Sequence, residues 1–297
     1  MALKINYDSP VALKNFLDER GMAMQKKFGQ NFLINSQARK LLVDSLKVDE
    51  NTTVWEVGPG LGCMTSEIVE RGGKLTVFEI DRGFAGVLKE IFDGNQNFAL
   101  VEGDVLKTWK NYYKENGLPD RFFGNLPYNV AAAIVADMIS EGVRFPRAVI
   151  TVQKEVAMRM AAKPGTEDYS SFSVLCQWAY DISNITDLSG GCFWPKPNVE
   201  SRSVLMVKKE NFPCCKEPKT FMKVLRAIFM QRRKTIKNNL NSITNSSEET
   251  ETILSNKSSA DNYAFICEKV NNILGFLAIN EKLSEQDYGE DSLVVTV

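Results

Sequence analysis

The stretch Thr53-Val-Trp-Glu56-Val-Gly58-Pro-Gly60-Leu-Gly62 constrains the fold of this chain more than any other. An apolar run of strand length ends in glycines at three alternate positions, and a helical pattern, Cys63 to Arg71, follows until Gly72-Gly73 stops it. Strand, tight glycine turn and helix in that order form the opening unit of a parallel sheet, because a parallel neighbour is reached only through a crossover connection.

The residues that follow repeat the pattern. Lys74 to Ile80 reads as a strand, Arg82 to Phe92 as a helix and Phe98 to Val101 as a short strand before Gly103-Asp104. Arg121 to Gly124 starts another strand, with a helix from Val130 to Ser140, then a strand at Arg147 to Gln153 and a helix at Lys154 to Ala162. Such alternation, with short connections, predicts a doubly wound α/β sheet covered by helices on both faces. Ser183 to Leu188 and Ser201 to Lys208 read as late antiparallel strands added at its edge. Upstream, Val11, Leu13, Phe16 and Leu17 give an amphipathic lead-in, and Lys26 to Leu33 reads as a loop. A helix is expected from Ser36, taken as its N-cap, to Leu46, with Leu41, Leu42 and Leu46 on its apolar face.

After Lys209 the character changes. Asn211 to Pro218 carries two prolines and reads as a linker, and the remainder is helical by period. The expected division is therefore 1–210 for the α/β domain and 211–297 for a small all-helical one. Residues 241–259, rich in Ser, Asn, Thr and Glu, are expected to form a mobile loop.

Composition narrows the chemistry. The sequence contains no histidine, which removes the commonest general base, the serine-type triads and most zinc hydrolase sites. Six cysteines lie scattered without CxxC spacing, so no metal site or disulfide framework is expected, and a reducing, cytoplasmic location is. No apolar run reaches the roughly 18 residues of a membrane span, and no secretory signal pattern opens the sequence. No heptad run or apolar patch asks for a partner copy, so a monomer is expected. The net charge is only −1 but unevenly spread. Residues 216–237 hold eight lysines and arginines against Glu217 alone, whereas residues 241–297 hold ten acids against three lysines. A basic stripe on a near-neutral chain is a candidate polyanion footprint, and otherwise a solvated helix face.

The glycine turn is a candidate cofactor site. Glycines let the backbone approach a ligand, and the helix after them aims its N–H groups at it. Glu79, about 20 residues on at the end of the next strand, is placed to take both hydroxyls of a ribose. Asp104, after the third strand, is placed to accept from an adenine amino group. A GxGxG turn also serves NAD(P) sites and ligand-free turns. Here it stands inside ExGxGxG, and Glu56 disfavours a pyrophosphate while tolerating the cationic amino acid end of S-adenosylmethionine.

Gly124-Asn125-Leu126-Pro127-Tyr128 fits one reaction. The lone pair of an exocyclic amine on an aromatic base is delocalised into the ring. Two acceptors on its two N–H protons localise the pair toward a methyl donor. The side-chain oxygen of Asn125 is one candidate; a backbone carbonyl beside Pro127, that of Leu126, is the other. Pro127 stiffens the turn and offers no competing N–H. Tyr128 offers a face on which a flipped base can stack. Orientation then supplies much of the acceleration, and no histidine is needed.

With FGQNF, ExGxGxG and NLPY in this order, the chain resembles the KsgA-type small-subunit ribosomal RNA adenine N6-dimethyltransferases over nearly its whole length. Lys27 to Leu33 is similar to the family's N-terminal cofactor motif. Phe193-Trp-Pro195-Lys-Pro197-Asn-Val199-Glu-Ser201 resembles its FxPxPxVxS segment, Phe229 to Thr235 its FxQRRKT stretch, and Leu283 to Tyr288 its closing LSxED[FY]. The resemblance implies a Rossmann-like S-adenosylmethionine-dependent methyltransferase domain followed by a small helical RNA-binding domain. It implies that Asn31 and Leu33 touch the cofactor from the N-terminal loop and that Gly58 and Gly60 hold its methionine part. Glu79 would take the ribose and Asp104 the adenine. Asn125, Leu126, Pro127 and Tyr128 would handle the target base, with Asn125 also at the cofactor.

The implied reaction is transfer of four methyl groups from S-adenosylmethionine, which leaves as S-adenosylhomocysteine, to two adjacent adenines near the 3′ end of small-subunit RNA, in a pre-ribosomal particle late in assembly. Beside this resemblance the basic stripe reads as a phosphate contact, with Arg232, Arg233 and Lys234 at its centre and Arg20, Lys26, Lys27, Arg39 and Lys40 extending it.

Two departures stand out. Lys-Pro-Asn-Val-Glu-Ser follows Pro195 where members often read Pro-Lys-Val-Asp-Ser, so altered RNA contacts are expected. Residues 241–259 read as an insertion. The competing readings are a resistance-type methyltransferase of large-subunit RNA, which more often reads NIPY, a catalytically idle assembly factor, and a dehydrogenase.

Overall fold

The structure, a computed structural model, describes residues 3–25, 29–210, 218–231 and 239. Along the chain the helices and strands are α1 (Pro10–Glu19), β1 (Phe32–Leu33), α2 (Ser36–Leu46), β2 (Thr53–Val57), α3 (Cys63–Glu70), β3 (Lys74–Glu79) and α4 (Arg82–Ile91). Then come β4 (Phe98–Glu102), α5 (Val105–Asn116), β5 (Arg121–Asn125), α6 (Ala131–Ser140), β6 (Arg147–Gln153), α7 (Lys154–Ala161) and α8 (Ser171–Ala179). The last are β7 (Tyr180–Leu188), β8 (Phe193–Trp194), β9 (Ser201–Lys208) and α9 (Pro218–Ile228).

The chain divides into two compact units. Met1–Ile139, Val143–Met158 and Tyr180–Lys209 form the first, which holds all the described strands. Ser140–Gly142, Arg159–Ala179 and the described residues from Glu210 onward form the second. Helix α8, for which the sequence raised no expectation, groups with the described residues from Glu210 onward. Within that unit Trp178 packs on Phe221 with ring centroids 4.6 Å apart, and Tyr169 meets Phe229 edge-on at 5.8 Å.

Seven strands form one sheet in the order β4-β3-β2-β5-β6-β9-β7. The first five are parallel, and β9 and β7 add on antiparallel, as the late strands predict. The sheet buries both faces, and alternation sorts the side chains between them. Val54, Leu75, Val77, Phe123 and Val149 join Leu42, Leu46 and Ile68 on one side. On the other, Trp55 sits at the centre of an aromatic cluster with Phe78, Tyr112 and Phe145. Because the crossovers run from β2 outward in one direction and from β5 outward in the other, the crevice at a topological switch point lies beyond the carboxyl ends of β2 and β5.

Several expectations need local correction. Lys26 to Leu33 is not all loop: Phe32 and Leu33 pair antiparallel with Trp194 and Phe193. The cap of α2 is Asn35, whose side chain accepts from Ala38 N at 2.8 Å, and Ser36 is already helical. The buried face of α2 is Ala38, Leu42, Val43 and Leu46, with Leu41 exposed. Val11, expected on the apolar face of α1, is also exposed. Arg39 does not belong to a basic surface. It is 6% exposed, donates to Leu33 O and is paired with Asp8 and Glu67. Arg20, on the surface, is engaged with Glu90 at 2.9 Å. Helix α5 is absent from the sequence reading. Its start is set by Asp104, whose carboxylate caps Leu106 N, and Gly117, at φ 78°, ends it.

Candidate active site

A cavity of about 270 Å³ lies at the carboxyl edge of the sheet, near the lower end of the ~300–1,000 Å³ typical of small-molecule sites. Four consecutive strand ends supply it: Gly58 and Gly60 after β2, Glu79 and Ile80 at β3, Gly103 and Asp104 after β4, and Asn125 with Pro127 after β5. Asn31 and Phe32 reach it from the N-terminal segment.

The glycine turn is built by necessity. Gly58, Gly60 and Gly62 have φ of 70°, 59° and 86°, a region that other residues enter at a cost of about 1–2 kcal/mol. A Cβ on Gly60 would stand 2.8 Å from Cε1 of Phe32. Phe32 cannot easily yield, being packed edge-on against Phe84 at 5.6 Å and stacked on Trp194 at 6.2 Å. The turn also sets Glu79. Its Oε2 accepts from Gly60 N at 3.0 Å and its Oε1 from Asp81 N at 2.8 Å. A carboxylate has about four acceptor positions, so capacity remains for a ligand.

Burial dominates the electrostatics. Glu79 is 4% exposed, and desolvation pushes its pKa up to about 7 against the opposing pull of the Asp81 and Gly60 N–H groups. Glu56, 2% exposed and accepting from the Thr65 hydroxyl at 2.8 Å, is raised to about 8, again by burial first. With Asp104 these make three carboxyl groups on a cavity whose lining residues include no lysine or arginine. That donor set suits a ligand carrying positive charge and hydroxyls, and opposes a pyrophosphate.

Asp104 is half-buried, with Oδ1 engaged by Leu106 N at 3.0 Å and Oδ2 without a hydrogen-bond partner among the described residues. Its capping role separates two substitutions. Asp104→Asn keeps a cap and removes the charge, whereas Asp104→Ala removes both. We expect weakened cofactor affinity for both, measured by calorimetry, and a stability loss of about 1 kcal/mol for Asp104→Ala alone in a thermal melt. Equal affinities for Asp104→Asn and the unaltered protein would remove its charge from the site.

The segment after β5 is held from several directions. Asn125 Nδ2 donates to Asn31 O at 2.9 Å. A carbonyl only accepts, so the amide orientation is fixed and Oδ1 is the end left without a partner among the described residues. Leu126 N donates to Thr151 O at 3.0 Å, and the buried Leu126 side chain folds back over Gly124, where a Cβ would meet its Cδ2 at 2.4 Å. Pro127 O is taken by Val130 N and Ala131 N at the start of α6. Leu126 O accepts no hydrogen bond from the described residues. Two acceptors, Asn125 Oδ1 and Leu126 O, thus remain in neighbouring residues. Tyr128 is half-buried, and its hydroxyl pairs with that of Ser201.

The structure therefore brings Asn31, Gly58, Gly60, Glu79, Asp104, Asn125 and Pro127 to one cavity. Leu33 is not among its lining residues. In β1 successive side chains face opposite ways, so Phe32 faces the cavity while Leu33 is fully buried in the core. Leu126 and Tyr128 lie outside the lining, on either side of Pro127. Arg232, Arg233 and Lys234 lie outside the described residues, as do Lys27, Phe28 and residues 241–297. Ile80, exposed beside Glu79, was missed by sequence reasoning, and Phe32 stood in the N-terminal motif without a role of its own. The signal for Ile80 was an apolar residue following a strand-terminal acid. Gln30, of the same motif, donates with Gln25 to Asp81 Oδ2, both at 3.1 Å, tying the N-terminal segment to the N-cap of α4.

Residues 21–267 match the family model of ribosomal RNA adenine dimethylase. The chain belongs to the ribosomal RNA adenine dimethylase family. This makes it a methyltransferase dependent on S-adenosylmethionine, and the dehydrogenase reading falls. This adenine dimethylase is 51% identical over 239 residues to the ribosomal RNA small subunit methyltransferase A of Treponema denticola, a match that covers 80% of this chain and 82% of that protein. It is 41% identical over 246 residues to the protein of the same name from Borreliella burgdorferi, covering 82% and 85%. Among solved structures, a dimethyladenosine transferase from Plasmodium falciparum superposes with a TM-score of 0.65 at 24% identity, covering 84% of this chain and 96% of that one. The 23S rRNA methyltransferase ErmE does so with 0.56 at 22%, covering 71% and 83%. At such identities these two likenesses establish the Rossmann-like fold of the adenine dimethylase and nothing finer.

Proposed function

We propose that this adenine dimethylase transfers methyl groups from S-adenosylmethionine to N6 of two adjacent adenines near the 3′ end of small-subunit ribosomal RNA, within a pre-ribosomal particle late in assembly. The observation that carries this reading is the pair of free acceptors, Asn125 Oδ1 and Leu126 O, beside a cavity lined by carboxyl groups. The residues present fit the cofactor. Gly58 and Gly60 leave room for its methionine end, Glu79 accepts from the ribose, Asp104 Oδ2 accepts from the adenine amino group, and Ile80 offers an apolar contact to the ring. When bound, S-adenosylmethionine supplies an electrophilic methyl group.

The chain's own residues do the rest. Asn125 Oδ1 and Leu126 O accept hydrogen bonds from the two N6–H groups and turn the nitrogen lone pair out of conjugation, and the nitrogen sheds its proton once the methyl has bonded. Pro127 holds the turn, and the Tyr128 ring carries the flipped base. Arg232, Arg233 and Lys234 position the RNA through its phosphates. No metal takes part, the working unit is a monomer, and the cytoplasm is its place. Among the described residues no helix is long and apolar enough to cross a membrane.

The names of the two bacterial relatives favour the small subunit over the large. The test is incubation of the purified protein with labelled S-adenosylmethionine and unmethylated small or large ribosomal subunits, followed by nucleotide mapping. Dimethyladenine in the small subunit is the expected product. Label in the large subunit, or none despite cofactor binding, would overturn the reading.

Cofactor binding is expected to be linked to protons. Taking up ribose hydroxyls favours the ionised form of Glu79, whose pKa of about 7 in the free protein must then fall. Affinity should therefore rise with pH, by about tenfold between pH 6 and 8, with proton release seen as buffer-dependent binding heat. The sign for folding is opposite. Glu79 and Glu56 hold their protons more tightly folded than unfolded, so the free protein loses stability as pH rises from the ordinary carboxylate range through about 7 to 8. A flat affinity from pH 6 to 8 would remove Glu79 from the ligand.

A further inference from the structure

Ser201 is the first residue of β9 and has no exposed surface. Its backbone is fixed from both sides, in register with Gln153 of β6 and Leu188 of β7. A hydroxyl buried so fully must find a partner or destabilise the fold. It finds the hydroxyl of Tyr128, 73 residues away in the segment that follows β5. Two residues on, and so on the same face of β9, the equally buried Ser203 pairs with the Thr151 hydroxyl at 2.7 Å, and Thr151 O holds Leu126 N. The chain entering β9 is itself pinned, with Lys154 N donating to Glu200 O at 3.0 Å. The start of β9 is thus a rigid brace under the segment that carries the two free acceptors.

We propose that Ser201 is a positioning residue for methyl transfer: its hydroxyl holds the Tyr128 ring in the plane on which the target base stacks. This rests on the reading of Tyr128 as the base platform. A tyrosine has two side-chain torsions, and a half-buried one anchored only by its backbone is free to tilt. The hydroxyl pair fixes the far end of the ring, so both ends are held and the platform is set before the base arrives. Phenylalanine would stack as well as tyrosine but would not be held. The tie between the two hydroxyls gives the tyrosine at this position a reason that stacking alone does not. It also explains what the run from Phe193 to Ser201 accomplishes, since that run delivers one hydroxyl to the segment after β5.

The test compares Ser201→Ala, Tyr128→Phe, the double variant and Tyr128→Ala, using full-length protein, S-adenosylmethionine and unmethylated small ribosomal subunits. Rates are normalised to the cofactor-binding fraction, and thermal melts are recorded alongside. Ser201→Ala and Tyr128→Phe should each lower kcat by about tenfold or more, since small misplacements of reacting groups carry losses of that order. KM for the subunits and affinity for the cofactor should stay within about twofold. The double variant should be no worse than either single one, because both remove the same contact. A wild-type kcat for Ser201→Ala, or a loss there that Tyr128→Phe does not share, would overturn the proposal; so would additive losses. Tyr128→Ala separates the two levels. If it retains full activity, the base-platform reading fails. If it is inactive while Ser201→Ala and Tyr128→Phe are unimpaired, only the positioning role fails.

Discussion

Replacing Asn125 with alanine is expected to abolish most methyl transfer while leaving the cofactor bound. The two ends of this side chain act separately. Its amide nitrogen donates to Asn31 O, tying the segment after β5 to the N-terminal segment, and its oxygen is the free acceptor. Removing a preorganised polar group that acts on the reacting centre typically costs about a hundred- to a thousandfold in kcat. We expect a loss of that size for Asn125→Ala, with cofactor affinity within a few-fold, because Glu79 and Asp104 remain. Asn125→Asp sharpens the test. It keeps an acceptor oxygen but can only set a second oxygen against Asn31 O, where no hydrogen bond can form. That variant should lose activity and also bind the cofactor less well, since Asn31 lines the cavity. Single-turnover rates and calorimetric affinities check both. An Asn125→Ala enzyme at full rate would end the acceptor role assigned to this side chain.

Those expectations were partly open to reading in the sequence, and the boundary of legibility has physical causes. The parallel sheet was legible because fully buried strands are continuous apolar runs and because three glycines at alternate positions signal a turn that only glycine tolerates. Glu79 and Asp104 were legible because strand ends at a switch point must face the crevice. Helix α5 was not, for it buries only Val105 and Trp109 among residues otherwise mostly lysine, tyrosine and asparagine, so its apolar stripe is too thin to stand out. Its N-cap was visible all the same in Asp104, but a ligand role and a capping role use the same residue type. Leu33 was drawn to the cavity with Asn31 because a motif does not say which neighbours alternate. A two-residue strand decides it, and that strand exists only because Phe193-Trp194 arrives from far along the chain. Arg39 failed for a similar reason. Charge in a sequence suggests a surface, but Asp8 and Glu67 come from other elements to meet it. The Tyr128–Ser201 contact joins two recognisable motifs whose meeting no local pattern encodes.

Gly60→Ala should be a highly damaging small substitution in the cavity at the carboxyl edge of the sheet, and the structure divides its cost into two parts. One is backbone strain, since φ at Gly60 is 59° and an L residue there loses about 1–2 kcal/mol. The other is a collision of the new methyl with the Phe32 ring at 2.8 Å. Phe32 is wedged between Phe84 and Trp194, so relief must come from moving the turn itself. A moved turn withdraws Gly60 N from Glu79 and leaves a buried carboxyl group short of a donor. We therefore expect cofactor affinity to fall by at least about a hundredfold, equivalent to about 2.7 kcal/mol, together with a lower melting temperature. Phe32→Leu in the same protein separates the two parts. It removes the ring but not the strain, so the double variant should recover much of the affinity and little of the backbone term. If Phe32→Leu restores nothing, the collision is not the cause and the φ requirement alone explains the glycine. If Gly60→Ala binds the cofactor as tightly as the unaltered protein, the ligand does not sit against this turn, and the assignment of the cavity to the cofactor fails with it.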